Sequence, residues 1–596
     1  MTFLNENDIE LNALDEFAEL GWDTRFGPDI SKGCADDTKR ERDEFDQIFL
    51  ERRLRDALRR LNPGVAQEML DEAVLRLGKA ESQNLMRENL RVHRLITEGC
   101  PVEYRDDSGE TRGVRVRYID FDDPENNDFV VVNQFALKRG ANSRRMDVIG
   151  FVNGIPLTVF ELKSPTKRWA TTKGAFRQLG TYQREFPELF APCAIQVIGD
   201  GLTASAGTVG AALQHFAPWK TIDSEDLAPE TLTGLQVLIR GMFEKRRFLD
   251  LVRNFVSFVT EDVNGTATLI RKGAKYHQFW AVNSALEAAV RASADGGDGR
   301  GGIVWHTQGS GKSLEMLFLA GKLMRDLRLK NPTVVMLTDR NDLDDQLFYE
   351  VFAPDELLPE KPVQADSADH MRTLLKRPAG GIVFTTIQKF RAEEKGGRHD
   401  LLSDRRNIIV VADEAHRTQY DLIDGFARHL RDALPNATFI GFTGTPIDAE
   451  DRSTREIFGE AAQRRLLRYD RDGEEHFNVV SAFIKSLRGS DPDAALYWLV
   501  RMLEAGEDPL FIARRMVIFA SEDVGNADPR ALGVALAVKD AVHFVGLPEG
   551  RIPLAQGATF LATAPKSNAS YVALGRATEE VRRSGTLPVP MHLRNA

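Results

Sequence analysis

Short apolar runs alternate with helical patterns along the middle of the chain. Five of these runs are candidate strands: Ile303–Trp305, Thr333–Thr338, Ile382–Thr386, Ile408–Ala412 and Thr438–Thr443. Unbroken apolar strands between helices are typical of a parallel sheet that helices cover on both faces. The pattern therefore predicts an α/β domain from about residue 303 to residue 459.

The pattern changes on both sides of this region. Residues 1–260 mix helical patterns with alternating strands, and a glycine-rich run at residues 294–302 interrupts the chain as a loop does. Beyond about residue 460 the strand signals end. Three Asp-Pro pairs each precede a helical pattern, with Asp as the predicted cap of the first turn: Asp491-Pro492, Asp508-Pro509 and Asp528-Pro529. We therefore expect three domains, 1–260, 261–460 and 461–596, the last of them all helical.

A β-hairpin is predicted around Asn153-Gly154, because two β-like runs flank this turn dipeptide. Glu161 and Lys163 are two residues apart on the second strand, so they share a face. Two carboxylates on one face, those of Asp147 and Glu161, would hold Mg²⁺ as its ligands, and Lys163 would stabilise the negative charge that develops when DNA is hydrolysed. Taken alone, an Asp and a Glu-x-Lys on neighbouring strands are more often solvated surface charges than a metal site.

The register of this hairpin decides whether Asp147 can reach that face. A strict two-residue turn would place Asp147 opposite Phe160, with Glu161 on the other face. We therefore predict a three-residue loop, residues 152–154, with Gly154 left-handed in a bulge, so that Asp147 pairs with Val159. Glu10, on the first predicted helix, is treated as a solvated residue and left out of the site.

A cationic helix is predicted shortly after Lys163. Gln178 and Tyr182 lie one helical turn apart on it, in a segment that is rich in lysine and arginine. Such a helix beside a metal site suits a phosphate backbone. Gln178 and Tyr182 therefore join Asp147, Glu161 and Lys163 as catalytic candidates.

A phosphate-binding loop is predicted after the strand Ile303–Trp305, since a glycine-bearing loop and a helical pattern follow it. The candidate nucleotide ligands form one unbroken run: Thr307, Gln308, Gly309, Ser310, Gly311, Lys312 and Ser313. Backbone N–H groups of this loop would hold the β-phosphate, Lys312 would reach the β and γ oxygens, and Ser313 would bind Mg²⁺. His306 stands where the generic pattern has glycine.

Two acids follow the strand Ile408–Ala412 at its carboxyl end, where ligands of open α/β sheets bind. Asp413 would contact the Mg²⁺ that accompanies ATP, and Glu414 would orient the attacking water as a catalytic residue. ATP and Mg²⁺ are therefore the expected cofactors.

Composition, cysteine spacing and net charge argue against a membrane protein, a disulfide framework and a zinc site, but leave DNA binding open. The chain is 42% hydrophobic and 28% charged, and no stretch approaches the length of a membrane span, so we expect a cytoplasmic enzyme with no membrane partner. Three widely spaced cysteines predict neither a disulfide framework nor a zinc site. The net charge of −11 does not exclude DNA, because DNA binding depends on local basic patches.

The candidate residues together resemble two known families. Asp147, Glu161-x-Lys163 and Gln178…Tyr182 resemble the PD-(D/E)xK nucleases of the type I and RecB-like kind. Residues 95–99 and 127–135 are similar to the motor subunit of type I restriction enzymes, although Met146 stands where the nuclease motif has proline. This resemblance implies double-stranded DNA as substrate and a complex with specificity and methylation subunits.

The nucleotide segment resembles superfamily 2 helicases. Thr443 and Thr445 lie in a Thr-Gly-Thr-Pro run that is similar to the helicase motif coupling ATP state to DNA contacts, and Gln278 stands where these helicases keep an adenine-reading glutamine. The resemblance implies one RecA-like P-loop lobe. We thus expect a multidomain α/β protein with a PD-(D/E)xK endonuclease domain, a RecA-like lobe and an all-α tail.

The tail resembles a different family. From about residue 461 the sequence is similar to the C-terminal oligomerisation region of MgsA/RarA-type AAA+ ATPases. No second motor lobe is recognised, so we expect a truncated or fused type I restriction subunit that binds ATP with little hydrolysis. The alternative is a non-catalytic oligomeric fusion protein that binds DNA and ATP and assembles as a homo-oligomer through this tail.

Overall fold

A computed structural model of the chain describes residues 6–105, 110–164, 172–229, 231–263, 266–305, 311–338, 347–353, 355, 358–386, 401–413, 431–443, 474–504, 507, 509–546, 549–584 and 589–593. The chain divides into two units. The first comprises residues 1–306 and 311–464, and the second comprises residues 307–310 and 465–596.

The first part of unit 1 contains helices on both faces of a mixed sheet. Its helices are α1 (Glu6–Glu19), α2 (Gly27–Ile30), α3 (Glu51–Leu61), α4 (Gln67–Gly78), α5 (Leu85–Glu98), α6 (Thr172–Glu185), α7 (Pro187–Phe190), α8 (Gly234–Met242) and α9 (Lys245–Asn254). Its strands are β1 (Asp23–Phe26), β2 (Cys100–Arg105), β3 (Thr111–Val116), β4 (Phe129–Arg139), β5 (Asn142–Val152), β6 (Ile155–Leu162), β7 (Ile195–Gly199) and β8 (Ala204–Gly207).

Six of these strands form one sheet in the order β1-β4-β5-β6-β7-β8, and β2 and β3 pair separately. Strand β6 lies at the centre, and every residue in it is buried. One face packs against α1, where Phe17 contacts Phe160 edge to face. The other face packs against α6, whose Leu179 and Tyr182 belong to the same apolar cluster as Val159.

The β5–β6 hairpin closes through a tight two-residue turn. Asn153 and Gly154 both have positive φ values, 51° and 76°, and Val152 pairs with Ile155. Positive φ at both central residues is what a type I′ turn requires. The predicted three-residue loop is therefore wrong, because Val152 belongs to the strand.

The register shift that Asp147 needs arises inside β6 instead. Gly150 pairs with Thr158, but its neighbour Phe151 pairs with Pro156, so Leu157 is an extra residue. Pro156 has no N–H to give to the ladder, which favours a bulge at this point. The predicted pairing of Asp147 with Val159 is also wrong, since Val159 pairs with Ile149.

A second sheet forms the remainder of the described part of unit 1. The elements are β9 (Val256–Val263), β10 (Thr266–Gly273), α10 (Tyr276–Ser293), β11 (Arg300–Trp305), α11 (Lys312–Arg325), β12 (Thr333–Thr338), β13 (Val363–Gln364), α12 (Ala368–Leu375), β14 (Ile382–Thr386), β15 (Ile408–Ala412) and β16 (Thr438–Thr443). Strands β9 and β10 form a hairpin, and the others form a sheet in the order β11-β16-β15-β12-β14-β13. All its described pairings are parallel, which confirms the predicted parallel sheet.

The two sheets of unit 1 share a core. Lys322 of α11 donates hydrogen bonds of 2.7 Å to both carboxylate oxygens of Asp250 of α9 and one of 2.6 Å to Asn283 of α10. Lys322 is 8% exposed, and its ammonium group lies 4.9 Å from the ring centre of Phe255. This buried ion pair fixes the helix after the nucleotide loop to the N-terminal half of the unit.

The described residues of unit 2 after residue 473 form helices and no strand, as predicted. The helices are α13 (Glu474–Arg488), α14 (Pro492–Glu504), α15 (Pro509–Phe519), α16 (Arg530–Val545), α17 (Arg551–Thr563) and α18 (Ala569–Ser584). Asp491 accepts a hydrogen bond of 2.9 Å from the backbone N–H of Ala494, which confirms its predicted capping role. Across the described part of the whole chain, helices that are both long and apolar enough to cross a membrane are absent.

Candidate functional site

Asp147 and Glu161 lie on neighbouring strands and face the same side of the sheet. Val148 pairs with Phe160, and one further step of this register sets Asp147 opposite Glu161. Asp147 Oδ2 accepts a hydrogen bond of 2.7 Å from the backbone N–H of Leu162, which fixes the Asp147 side chain against β6. We call these two residues the acid pair.

Lys163 completes the predicted group of charges. Its ammonium group contacts Glu161 Oε1 as an ion pair, and its side chain is 16% exposed. Glu161 is fully buried, and its other oxygen, Oε2, has no hydrogen bond of ordinary geometry among the described residues, although the nearby Tyr182 hydroxyl lowers the pKa of this carboxyl. A buried carboxylate oxygen without a donor is a site that a cation would satisfy.

Burial and mutual repulsion shift the titration of the acid pair. Burial raises the pKa of Asp147 to about 6, although the N–H of Leu162 and the charge of Lys163 oppose this shift. Burial and then the charge of Asp147 raise the pKa of Glu161 to about 8. Burial lowers the pKa of Lys163, but the ion pair with Glu161 outweighs it and the pKa is raised overall. The two carboxylates repel each other when both are ionised, and a divalent ion between them would offset that repulsion.

Among the described residues, no group of three or more His, Cys, Asp or Glu side chains is arranged to hold a metal ion. The acid pair therefore offers two protein carboxylates, and the remaining positions around an ion would fall to water and substrate oxygens. That number is ordinary for Mg²⁺, which keeps several waters in protein sites.

Gln178 and Tyr182 lie beside the acid pair on α6, as the sequence predicted. The Gln178 amide donates a hydrogen bond to the Tyr182 hydroxyl, and that hydroxyl lies 3.5 Å from the backbone oxygen of Arg145. The charges of Glu161 and Asp147 contribute, after burial, to raising the pKa of Tyr182. Arg144 and Arg177 line the adjoining open groove with Gln178 and Tyr182.

Glu10 also lies next to the acid pair, contrary to its treatment as a solvated residue. Glu10 is 2% exposed and accepts hydrogen bonds of 2.5 Å at both oxygens from the Gln134 amide. Burial raises the pKa of Glu10 to about 7, and the charge of Asp147 contributes to the rise. The sequence did carry a signal, because Glu10 falls in the apolar stripe of α1 with Ala13 and Phe17.

Gln134 occupies a kink in β4 beside Asp147. Asn133 pairs with Val148 and Phe135 pairs with Met146, but Gln134 between them has a left-handed φ of 53°. A non-glycine residue in this conformation is strained. Strained backbone conformations of this kind cluster at functional sites. Gln134 and Glu10 are neighbours of the acid pair that sequence reasoning did not assign.

Those candidate nucleotide ligands that the structure describes lie at the carboxyl edge of the second sheet. Strand β11 leads to the glycine-bearing loop, and its last residue, Trp305, pairs with Thr443 at the end of β16. Asp413 directly follows β15, the other neighbour of β16, and its backbone N–H donates to Leu337 O over 2.9 Å. Lys312 and Ser313 form the first turn of α11.

Gln278 reaches the end of the same loop. Its side-chain amide donates a hydrogen bond of 3.3 Å to Gly311 O, and its side-chain oxygen accepts one of 2.9 Å from the backbone N–H of Lys275. Gly311 has a φ of 87°, and a Cβ atom there would lie 2.6 Å from Gln278 Nε2. The left-handed backbone favours glycine at this position, and the helix N-terminus beside it suits a phosphate group.

Several predicted site residues lie outside the described part of the chain. They are Thr307, Gln308, Gly309, Ser310, Glu414 and Thr445. Their assignment therefore remains a prediction from the sequence.

Three known families match successive parts of the chain. Residues 3–215 match the type I restriction enzyme R protein N terminus, residues 277–472 match the SWI2/SNF2 ATPase family, and residues 489–596 match the MgsA AAA+ ATPase C terminal family. The first match includes the acid pair, and the second includes all the candidate nucleotide ligands.

Curated relatives give the same division. The type I restriction enzyme HindI endonuclease subunit of Haemophilus influenzae is 42% identical over 469 residues, covering 76% of this chain and 44% of that protein. The putative type I restriction enzyme MjaIXP endonuclease subunit of Methanocaldococcus jannaschii is 32% identical over 480 residues, covering 77% of this chain and 44% of that protein. The chain thus spans less than half the length of these relatives.

The tail is similar to a different protein. Replication-associated recombination protein A of Escherichia coli K12 is 44% identical over 189 residues, 32% of this chain and 42% of that protein. This stretch is longer than residues 461–596, so the similarity begins upstream of residue 461. Residues 3–215 of the chain are therefore similar to the type I restriction enzyme R protein N-terminal family, and residues 489–596 are similar to the MgsA C-terminal family.

Proposed function

We propose that unit 1 is a Mg²⁺-dependent DNA endonuclease of the PD-(D/E)xK type, working as the nuclease and motor subunit of a type I restriction enzyme. The observation that carries this proposal is the acid pair, two carboxylates on one face with Lys163 paired to Glu161. The names of the relatives, which are endonuclease subunits of type I restriction enzymes, support the same activity.

The proposed reaction is hydrolysis of a phosphodiester. Water adds to the phosphorus, one phosphorus–oxygen ester bond breaks, and the departing oxygen takes up a proton. A Mg²⁺ ion held by Asp147 and Glu161 would supply an activated water and polarise the phosphate. The Leu162 N–H keeps Asp147 oriented, and Lys163 offers positive charge where the phosphate oxygens become more negative.

The neighbouring residues have supporting parts in this proposal. Gln178 and Tyr182 would position the DNA strand beside the acid pair, and the groove that they line with Arg144 and Arg177 would follow the phosphate backbone of double-stranded DNA.

We propose ATP with Mg²⁺ as the ligand of the second sheet. Lys312, Ser313, Asp413 and Thr443 lie at the sheet edge where nucleotides bind in α/β folds, and Gln278 touches the glycine that ends the loop. Thr307 to Ser310, Glu414 and Thr445 complete the set by sequence pattern alone. ATP-driven translocation, and assembly with specificity and methylation subunits, follow from the proposed restriction role.

A second role, self-association through unit 2, has its own supporting observation. Helix α18 exposes large apolar side chains at helical spacing: Tyr571 is 58% exposed, Leu574 66% and Val581 66%. Exposed apolar stripes of this kind are typical of association surfaces. If the nuclease is silent, the chain would act as a non-catalytic oligomer. Light scattering tests the assembly by giving the particle mass, and plasmid nicking tests the catalysis.

Plasmid nicking tests the nuclease proposal. Supercoiled plasmid is incubated with the full chain in Mg²⁺ or in EDTA, beside the variants Asp147→Asn, Glu161→Gln and Lys163→Met. We expect cleavage by the parent in Mg²⁺ alone and its loss in all three variants. Glu103→Gln, an exposed acid on β2, is the matched control and should cut like the parent. Equal nicking by parent and acid-pair variants would refute the assignment.

A further inference from the structure

The backbone oxygen of Leu157 has a partner outside the β5–β6 hairpin. Leu157 is the extra residue that shifts the register of β6 against β5, and such a residue is left out of the ladder with the partner strand. Its oxygen accepts a hydrogen bond of 2.7 Å from the backbone N–H of Ala194, which directly precedes β7. The position of the bulge therefore depends on how the segment before β7 is held.

Asn89 of α5 is one of the side chains that hold this segment. Its amide nitrogen donates hydrogen bonds of 2.9 Å to the backbone oxygens of Phe190 and Ala191 and one of 3.0 Å to that of Cys193. Its side-chain oxygen accepts a hydrogen bond of 2.7 Å from Arg271 Nη1 of β10. Asn89 is fully buried, so these bonds are shielded from water.

Arg271 binds the same backbone oxygen directly. Its Nη1 donates a hydrogen bond of 3.0 Å to Cys193 O, and its Nη2 lies 3.5 Å from His93 Nδ1. Arg271 is 1% exposed, and no carboxylate among the described residues forms an ion pair with it. Burial lowers the pKa of Arg271 to about 10, so the side chain remains charged at neutral pH. A buried cation without an acid depends on neutral oxygens as acceptors, and here they are those that fix the segment before β7.

One peptide group connects Arg271 to the bulge. Cys193 O and Ala194 N–H belong to the same peptide, so Arg271 and Asn89 bond to its oxygen while its N–H bonds to Leu157 O. Hydrogen bonds arranged in a chain of this kind polarise and strengthen one another. The guanidinium group thus acts on the bulge through a single rigid link.

Arg271 comes from a part of the chain beyond residue 260, where the sequence pattern places the end of the nuclease domain. Its backbone oxygen accepts a hydrogen bond of 2.7 Å from Thr208 Oγ1, one residue after β8, which docks the β9–β10 hairpin on the edge of the first sheet. Gln278, whose amide donates to Gly311 O, follows β10 by five residues. The hairpin therefore lies between the acid pair and the nucleotide loop along the chain and bonds to the nuclease sheet.

We propose that Arg271 is a positioning residue of the nuclease site. Through the Cys193–Ala194 peptide it fixes the oxygen of Leu157, and with it the register that sets the acid pair side by side. The nuclease centre is therefore fully assembled only when the hairpin before the nucleotide lobe is docked. This inference rests on the proposed nuclease function, because the site that Arg271 positions is the acid pair.

The test measures metal binding by Arg271→Met in the full chain. Mn²⁺ is titrated and followed by electron paramagnetic resonance, and binding at the acid pair is the part that Asp147→Asn/Glu161→Gln lacks. Arg271→Met should raise the Kd of this part by about tenfold, the size expected when a group that orients a metal ligand is lost. The Mg²⁺ concentration that gives half-maximal plasmid cleavage should rise with it, and the rate at saturating Mg²⁺ should fall less.

Arg247→Met is the matched control. Arg247 is 9% exposed and donates hydrogen bonds of 2.7 Å to Gly241 O and 3.2 Å to Arg240 O at the end of α8. Its guanidinium carbon lies 5.3 Å from the ring centre of Trp280, and its Nη2 lies 3.5 Å from the exposed Asp223. This variant removes a buried guanidinium group that binds backbone oxygens but does not reach the peptide before β7. It should lower the melting temperature and leave the Kd for Mn²⁺ unchanged.

The Kd values decide between the outcomes. A Kd for Arg271→Met within about threefold of that of Arg247→Met overturns the positioning role, and it leaves the nuclease proposal standing if the parent cuts plasmid. A parent with neither cleavage nor Mn²⁺ binding at the acid pair overturns both. If thermal melting shows that Arg271→Met is unfolded, Arg271→Lys decides, since an ammonium group lacks the planar fork. A Kd equal to that of the parent then overturns the role, and a Kd above that of Arg247→Met supports it.

Discussion

Asp147 and Glu161 face each other across β5 and β6 because one extra residue, Leu157, shifts the register of the hairpin. Without it, the two-residue turn would set Asp147 opposite Phe160, and the two carboxylates would lie on opposite faces. The hairpin thus brings together two acids that repel each other, at a place where burial leaves Glu161 Oε2 without a hydrogen-bond donor. A divalent ion bound between the two acids would remove both costs.

The metal-free protein should lose stability as the pH rises. The pKa of Asp147 is raised from 3.8 to about 6, and that of Glu161 from 4.5 to about 8. Because the folded state holds protons that the unfolded chain releases, the stability these groups contribute is present below about pH 4 and is lost as the pH rises through about 8. Thermal melts in EDTA across this range measure the loss.

Mg²⁺ should reverse this loss at the alkaline end. At about pH 8.5, saturating Mg²⁺ should raise the melting temperature of the parent, because binding to the folded state alone stabilises it. The double variant Asp147→Asn/Glu161→Gln should show a weaker pH dependence and no response to Mg²⁺. An equal response of parent and double variant would place the metal elsewhere.

Replacing Tyr182 by phenylalanine should impair cleavage more than stability. The change removes the hydroxyl that accepts from Gln178 and lies by the acid pair, and losing one buried hydrogen bond costs about 1 kcal/mol. We expect a fall in plasmid cleavage of about tenfold, within the range for a supporting polar group. Denaturant unfolding and a cleavage assay measure the two effects.

Tyr118→Phe is the matched control for this prediction. The Tyr118 hydroxyl is buried too, and it donates a hydrogen bond of 2.7 Å to Ala73 O, away from the acid pair. Its loss should cost a similar stability and leave the cleavage rate unchanged. Equal cleavage losses in both variants would mean that Tyr182 acts only through folding.

Gly311→Ala should weaken ATP binding. Gly311 has a φ of 87°, which strains an alanine, and the new Cβ would lie 2.6 Å from Gln278 Nε2, so the Gln278 side chain would have to leave the end of the loop. We expect at least about a tenfold rise in Kd for ATP, which corresponds to about 1.4 kcal/mol. Titration of a fluorescent ATP analogue measures it.

Gly33→Ala is the control that separates backbone strain from the contact with Gln278 as the cause of weaker ATP binding. Gly33 has a φ of 80°, but nothing lies within 4 Å of a Cβ placed there. This control carries the backbone strain without the contact, so it should destabilise the protein slightly and bind ATP normally. Unchanged ATP affinity in Gly311→Ala would contradict the proposed position of the nucleotide.

Breaking the Asp250–Lys322 ion pair should destabilise unit 1. Lys322 is 8% exposed, and Asp250→Asn would leave its ammonium group with neutral amide oxygens, among them that of Asn283, and no carboxylate. Removing one partner of a buried pair costs about 3 kcal/mol. Denaturant unfolding measures the loss, and the double variant Asp250→Asn/Lys322→Met should recover part of it. A change below about 0.5 kcal/mol would show that the pair behaves like a surface pair.

The sequence predicted the elements in which local pattern and tertiary environment agree. The run Ile408–Ala412 is wholly apolar, as a strand buried on both faces must be, and β15 has these same bounds. Glu161 and Lys163 were placed on one face by strand periodicity alone, and the structure joins them as an ion pair. Asp491 was identified as a cap by its position before a proline, and it does cap α14.

The sequence failed where a local choice depends on the rest of the fold. The hairpin needed one extra residue, but whether the turn or the strand supplied it depended on how Pro156 fits the ladder. Glu10 was taken as solvated because most acids on a first helix are, and its burial depends on Gln134, more than a hundred residues away. Only the assembled sheet brings these groups together.

The most direct test of the proposed nuclease centre is an anomalous difference map from crystals of the full chain soaked in Mn²⁺. The account predicts a peak between Asp147 and Glu161, within about 2.3 Å of one oxygen from each carboxylate, and no such peak in Asp147→Asn crystals. A map with no density between the acid pair, from crystals in which Mn²⁺ binds elsewhere, would contradict it.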